Sequence, residues 1–245
     1  MKISTKYALF AFIATIFLFG FLDIHLLDTI VYIVLFTLIS FLLYYIGSIY
    51  HLIQIINKHC DPLRHNKRVL ILQKRFYPSF QDEFRMYYAL GLSVLGEFEK
   101  SKEVLYEINL DKYKKVKLFN AMYYINLVSN HLYLGELSIA EQLFQDHLSH
   151  LNFKHQGVSL ALKITSAEFS FYREDYPASR QILNELLSQK LNNYSRVSCM
   201  FLLAQIDEKE GKLSEALDKY HLVAEQANTL YVATLSKEKI QTLQP

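Results

Sequence analysis

Four short turns recur at nearly even spacing in the C-terminal part of this 245-residue chain. They read Leu95-Gly96-Glu97-Phe98, Leu134-Gly135-Glu136-Leu137, Arg173-Glu174-Asp175-Tyr176 and Glu210-Gly211-Lys212-Leu213. The intervals between Gly96, Gly135, Glu174 and Gly211 are 39, 39 and 37 residues. Each turn lies between two amphipathic helical patterns. A fixed period of this length marks a helical solenoid, in which each helix pair buries its apolar side only by stacking on its neighbours. The spacing therefore predicts an all-α array, a fold that usually works by holding another molecule.

The register of the array is readable from the turn residue. Seven positions before it stand Ala89, Val128, Ala167 and Ala204, and five positions after it Ser101, Ala140, Ser179 and Ala216. Nine after it are Leu105, Phe144, Leu183 and Tyr220, and twelve after it Ile108, His147, Leu186 and Val223. Small residues let two antiparallel helices approach closely, and the large ones fill the space towards the next pair. Upstream, Asp61-Pro62 can cap a helix over residues 63–76 that stops before Tyr77-Pro78. Ser79 is expected to open the next helix, with Asp82 three residues on. Residues 229–243 read as a closing helix, and residues 63–76 as a cap on the first repeat.

This arrangement resembles the tetratricopeptide repeat. The best matches are Tyr88-Ala89, Leu92, Gly96, Phe98, Ser101, Leu105 and Ile108 in the first unit, and Tyr124, Leu127, Gly135, Ala140 and Phe144 in the second. The fourth offers Leu203-Ala204, Gly211, Ala216, Tyr220 and Ala224, and the third, weaker, Ala167, Tyr176, Ser179 and Leu183. The resemblance spans about residues 80–227. The period exceeds the family's 34, and Pro is nearly absent at the repeat ends, so longer helices are expected and the superhelix curvature is open. A helical repeat outside the family is the alternative. The resemblance implies that the first helix of each pair lines a concave face, which on this chain places Met86, Leu90, Ile125, Tyr133, Ile164, Tyr172, Phe201 and Gln205 there, with Ser129 and Glu168. This set is apolar and aromatic. It lacks the Lys, Arg and Asn of the family's carboxylate clamp, and it suits an amphipathic helix or an extended apolar segment of a protein partner. The competing reading is that several of these residues are ordinary core.

The N-terminal region is of another kind. Residues 7–22 and 29–50 carry no charge, and between them lies Asp23-Ile24-His25-Leu26-Leu27-Asp28. The second stretch would span about 33 Å as a helix, enough for the ~30 Å hydrocarbon layer, and the first about 24 Å. The expectation is a two-span hairpin over residues 1–50. A cleaved signal peptide followed by one span, and a buried soluble hairpin, are the alternatives; no small-x-small cleavage site follows the first stretch. Lys2 and Lys6 precede the first span, and Lys58, Arg64, Lys67, Arg68, Lys74 and Arg75 follow the second, while the loop has no Lys or Arg. This asymmetry predicts a multi-pass cell-membrane protein with both termini cytoplasmic. Residues 51–79 form a basic juxtamembrane segment and capping helix, where those six cations could touch anionic headgroups or serve only to set topology. Residues 80–245 hold the repeats.

The chain has two cysteines, Cys60 and Cys199, which do not make a disulfide framework. His147, His150 and His155, or His59, Cys60 and His65, lack the spacing of a metal site. No nucleotide or nucleophile signature occurs, and the basic segment lacks interleaved aromatics for nucleic acid. No enzyme activity, cofactor or small-molecule substrate is expected. The layout resembles that of bacterial membrane proteins with two N-terminal spans and repeats. The leading expectation is thus a membrane-anchored scaffold or adaptor that binds a protein partner on the cytoplasmic side. The alternative is an accessory or assembly subunit of a membrane enzyme or transporter, docking through the hairpin.

Overall fold

The computed structural model describes residues 12–14, 26–76, 80–153 and 155–243. Among these the chain is all-helical, with no strand. It divides into two compact units, Met1–His51 and Leu52–Pro245.

The first unit is described mainly by helix α1, Leu26–Asn57, whose last residues from Leu52 on belong to the second unit. Its segment Ile30–Asn57 is long and apolar enough to cross a membrane, with a mean hydropathy of 2.3 in its most apolar window. Ile30, Val34, Leu38, Leu42 and Ile46 are all exposed. An α-helix satisfies its own backbone groups, and Thr37 Oγ1 donates to the Ile33 carbonyl at 2.8 Å, so little polarity is left on its surface. Of the predicted first span, only residues 12–14 are described, and they are helical. The rest of that span lies outside the described residues, as do Lys2, Lys6 and the predicted loop from Asp23 to His25.

The second unit begins with the end of α1, where Leu52, Ile55 and Ile56 are buried. Helix α2, Pro62–Gln73, starts where the sequence predicts: the Asp61 side chain accepts from the Arg64 backbone N–H at 3.0 Å, and Pro62 takes the first turn. It ends three residues earlier than expected. Helix α3, Gln81–Ser93, has Phe80 at its cap position and no side-chain cap; Ser79 lies outside the described residues.

Four helix pairs follow in order: α3 with α4 (Phe98–Tyr106), α5 (Lys117–Tyr133) with α6 (Leu137–His147), α7 (Gln156–Tyr172) with α8 (Tyr176–Leu187), and α9 (Asn193–Lys209) with α10 (Leu213–Gln226). A 3-10 turn, Leu110–Tyr113, leads into α5, and α11, Tyr231–Leu243, packs on α10. Sequential pairs stack through α3 on α5, α5 on α7 and α7 on α9.

The predicted register explains the packing. All four turn residues adopt left-handed φ, at 86° for Gly96, 77° for Gly135, 62° for Glu174 and 77° for Gly211. In each turn the next residue's N–H returns to a carbonyl of the helix just ended: Glu97 to Leu92, Glu136 to His131, Asp175 to Ser170 and Lys212 to Asp207, at 2.8–3.0 Å. This is the helix-terminating motif that a left-handed residue makes possible. The eight small-position residues, from Ala89 and Ser101 to Ala204 and Ala216, are all 0% exposed. Where the second is Ser it ties the two helices directly: Ser101 Oγ donates to the Ala89 carbonyl and Ser179 Oγ to the Ala167 carbonyl, both at 2.8 Å.

Candidate functional site

Of the eight residues expected on the concave face, Met86, Ile125 and Phe201 are buried in separate core clusters and the other five are half-buried. Met86 is buried with Leu105 and Leu127, Ile125 with Leu132 and Phe169, and Phe201 with Tyr220 and Val223. Ile164 is half-buried beside Leu183 and Leu203. As placed, Met86, Ile125 and Phe201 offer almost no surface to a partner, because the neighbouring helices cover them. Leu90 and Gln205 are half-buried.

Tyr133 and Tyr172 do meet, edge to face with ring centroids 6.0 Å apart. Tyr133 also stacks on Phe98 at 4.7 Å, and Tyr231 meets Phe98 edge-on at 5.4 Å. Within this aromatic group sits Glu168. It accepts from Ser129 Oγ at 2.8 Å and from the Tyr133 hydroxyl at 3.5 Å. Burial pushes its carboxyl up to about 7, against the opposing effect of those two donors.

Tyr231 also ties the end of the unit to its start. Its N–H donates to the Val94 carbonyl at 2.9 Å, joining the start of α11 to the first repeat turn. Asn228 Nδ2 donates to the His59 carbonyl and Asn193 Nδ2 to the Lys58 carbonyl, each at 2.9 Å. Cys60 lies in one cluster with Val197, Phe201 and Leu230. The last helices of the unit are thus joined to its first. The sequence places Tyr231 only on the closing helix, with no signal for this contact.

One seam of the array is loosely packed. In three repeats the large residues nine and twelve positions after the turn are buried: Leu105 and Ile108, Leu183 and Leu186, Tyr220 and Val223. In the second repeat they are Phe144 and His147, and both are half-buried. Helix α6 itself buries only Ala140. Phe144 stacks on Phe169 at 4.8 Å and His147 on Tyr124 at 3.7 Å, so these rings lie flat instead of filling the gap. Between α6 and α7 a cavity of about 190 Å³ has a mixed lining, with Phe144, Leu148, Leu151, Phe153 and Leu162 on its apolar part and Ser149, Asn152, Ser159, Lys163 and Ser166 on its polar part. This is smaller than the ~300–1,000 Å³ of pockets that enclose a drug-sized ligand. Sequence reasoning missed this groove. The signal was His147 at a position that is aliphatic in the other three repeats.

The polar clusters read as structural. His131 is buried, bonds the Glu136 carboxylate through Nδ1, and lies 3.3 Å from the Tyr106 hydroxyl through Nε2, while Lys102 donates to Glu136 at 2.8 Å. This network ties α4 to α5 and to the second turn. Among the described residues no group of three His, Cys, Asp or Glu could hold a metal. Burial pushes the Cys60 thiol up to about 11 and His65 down to about 4, so neither is poised for chemistry near neutrality. The basic segment is largely outward: Lys58, Arg64, Lys67, Lys74 and Arg75 are exposed and Arg68 half-buried.

No protein-family model, no curated protein and no solved structure matches this chain.

Proposed function

We propose that the chain is a membrane-anchored scaffold of the tetratricopeptide-like kind. In this reading the N-terminal region is a two-span anchor with both termini in the cytoplasm, and the repeat unit holds a protein partner. The observation that carries the partner reading is the under-filled α6–α7 groove. A repeat array that buries the equivalent residues in its other pairs leaves a cleft of mixed polar and apolar lining there, and an amphipathic segment would complete it. The membrane reading is supported by the exposed apolar side chains of α1, which water would not tolerate on every side.

A photo-reactive amino acid in place of Phe153 tests this in native membranes. Discrete cross-linked species should form there and not from Leu213, an exposed site on α10. Cross-links from Tyr133 instead would move the partner to the inner face, and no species from either would end the scaffold reading. The second reading, an accessory subunit docking through its membrane segment, draws on the same exposed α1. It predicts cross-links from Leu38 alone. For the orientation, a cysteine replacing exposed Thr234 should react with an impermeant reagent only in opened cells; labelling of intact cells would reverse it.

A further inference from the structure

Helix α2 has two unlike faces. Pro62, His65, Asn66, Val69 and Leu72 are buried, and the helix packs on α3. The opposite face carries Leu63 and Leu70, 59% and 41% exposed, beside the exposed cations Arg64, Lys67 and Lys74. The helix contains no Asp or Glu. Elsewhere in the unit Arg85, Lys102, Arg180, Lys219 and Lys239 each reach a carboxylate. Among the described residues Arg64, Lys67 and Lys74 form no ion pair.

This face follows the candidate span at short range. The candidate helix runs on to Asn57, its residues Leu52, Ile55 and Ile56 already in the core of the repeat unit, and α2 begins at Pro62. Five Cα steps reach at most about 19 Å. The turn is tighter than that limit, because Cys60 N–H bonds the Ile56 carbonyl at 3.0 Å and Asp61 N–H the Ile55 carbonyl at 3.2 Å. A helix that follows a candidate membrane span closely in the chain, with a leucine edge and a uniformly cationic arc, has the composition of an interfacial helix. Its apolar edge enters the headgroup boundary and its cations meet anionic headgroups.

We infer that the outward face of α2, built from Leu63, Arg64, Lys67, Leu70 and Lys74, is a docking surface for an anionic lipid bilayer. The inference rests on α1 crossing that bilayer. It adds that the repeat unit is held against the membrane surface by α2, in a charge-dependent way.

The chain contains no tryptophan, so one introduced tryptophan is a unique reporter. The full-length protein is reconstituted into vesicles of brominated phosphatidylcholine, with or without phosphatidylglycerol. Emission is read from Leu63→Trp, from Leu38→Trp on α1 and from Ile139→Trp on exposed α6. Leu38→Trp should be quenched in both vesicles and Ile139→Trp in neither. Leu63→Trp should be quenched about twofold or more strongly when the anionic lipid is present. That difference should vanish with Arg64→Gln, Lys67→Gln and Lys74→Gln together, or in high salt. Quenching of Leu38→Trp with Leu63→Trp no different from Ile139→Trp would overturn the inference and leave the span intact. Equal quenching of Leu63→Trp in both lipids, unchanged by the triple variant, would overturn its electrostatic basis. Absence of quenching at Leu38→Trp would remove the span, and the inference with it.

Discussion

At the scale of single residues, the left-handed turn positions are equivalent in backbone and unequal in surroundings. A Cβ on Gly135 or Gly211 would meet nothing within 4 Å, whereas on Gly96 it would come within 2.5 Å of the Tyr231 ring. Gly135→Ala should therefore cost the backbone term alone, about 1–2 kcal/mol. Gly96→Ala should cost more, because Tyr231 must leave its contact with Phe98. Chemical denaturation of the two variants checks the order, and equal losses would show that the Tyr231 contact contributes little. Glu168 gives a pH-dependent prediction. Its carboxyl rises from about 4.5 to about 7 on burial. Above 4.5 the unfolded chain releases this proton while the folded chain keeps it, so the stability contribution falls as pH rises towards 7 and is then flat. The change is on the order of 2–3 kcal/mol. Glu168→Gln should gain on the native chain between pH 5 and pH 8, read as the difference in melting temperature at each pH. A constant difference would mean that Glu168 is solvated. Repeat spacing places Glu168 on the first helix of its pair; its burial does not follow from that spacing, since it depends on Ser129 and Tyr133 arriving from another helix.

At the scale of elements, the helices differ in how firmly neighbours hold them. Helix α9 is buried through most of its length, with Val197, Cys199, Phe201, Leu203 and Ile206 all inaccessible, and α6 buries Ala140 alone. The one-sided apolar pattern is plainer in α6 than in α9, yet α6 is the less covered, because periodicity records which side is apolar and not how completely it is covered. Helix α11 shows the same limit. Its span matches the predicted closing helix, but its contact with the first repeat turn was not predicted. Deleting residues 228–245 should uncover the thiol of Cys60, which is 1% exposed in the intact unit and shares a cluster with Leu230 and Ala233. Mapping of alkylated cysteines should find Cys60 unreactive in the full chain and modified in the deletion. Continued protection would mean that α1 and α2 shield it unaided.

At the scale of the whole molecule, the boundary between the two units falls inside a continuous helix. The predicted span ends at residue 50, yet α1 continues to Asn57 and contributes Leu52, Ile55 and Ile56 to the repeat unit's core. Each buried aliphatic side chain is worth about 1.5–3 kcal/mol. Losing all three removes an amount comparable to the ~5–15 kcal/mol stability of a domain. A fragment of residues 52–245 should therefore show a helical far-UV spectrum and a cooperative melt, and a fragment of residues 61–245 should not. Equal melts would show that the end of α1 is dispensable to the unit.

Local chemistry decided what the sequence determined by itself. A left-handed turn residue, a small residue where two adjacent helices cross, an Asp before Pro at a helix start and a run of apolar residues each act within about a dozen positions. They set the all-helical class, the four paired units, their phase and the one described helix able to cross a membrane. Only the tertiary structure decided that the last helices join the first, that Met86, Ile125 and Phe201 are interior, that α6 is half-covered and that Glu168 is enclosed. Those outcomes depend on the curvature of the array. Curvature accumulates from small crossing angles over every stacked pair, so the contact of Tyr231 with Val94, made across most of the repeat unit, leaves no trace in the local pattern around either residue.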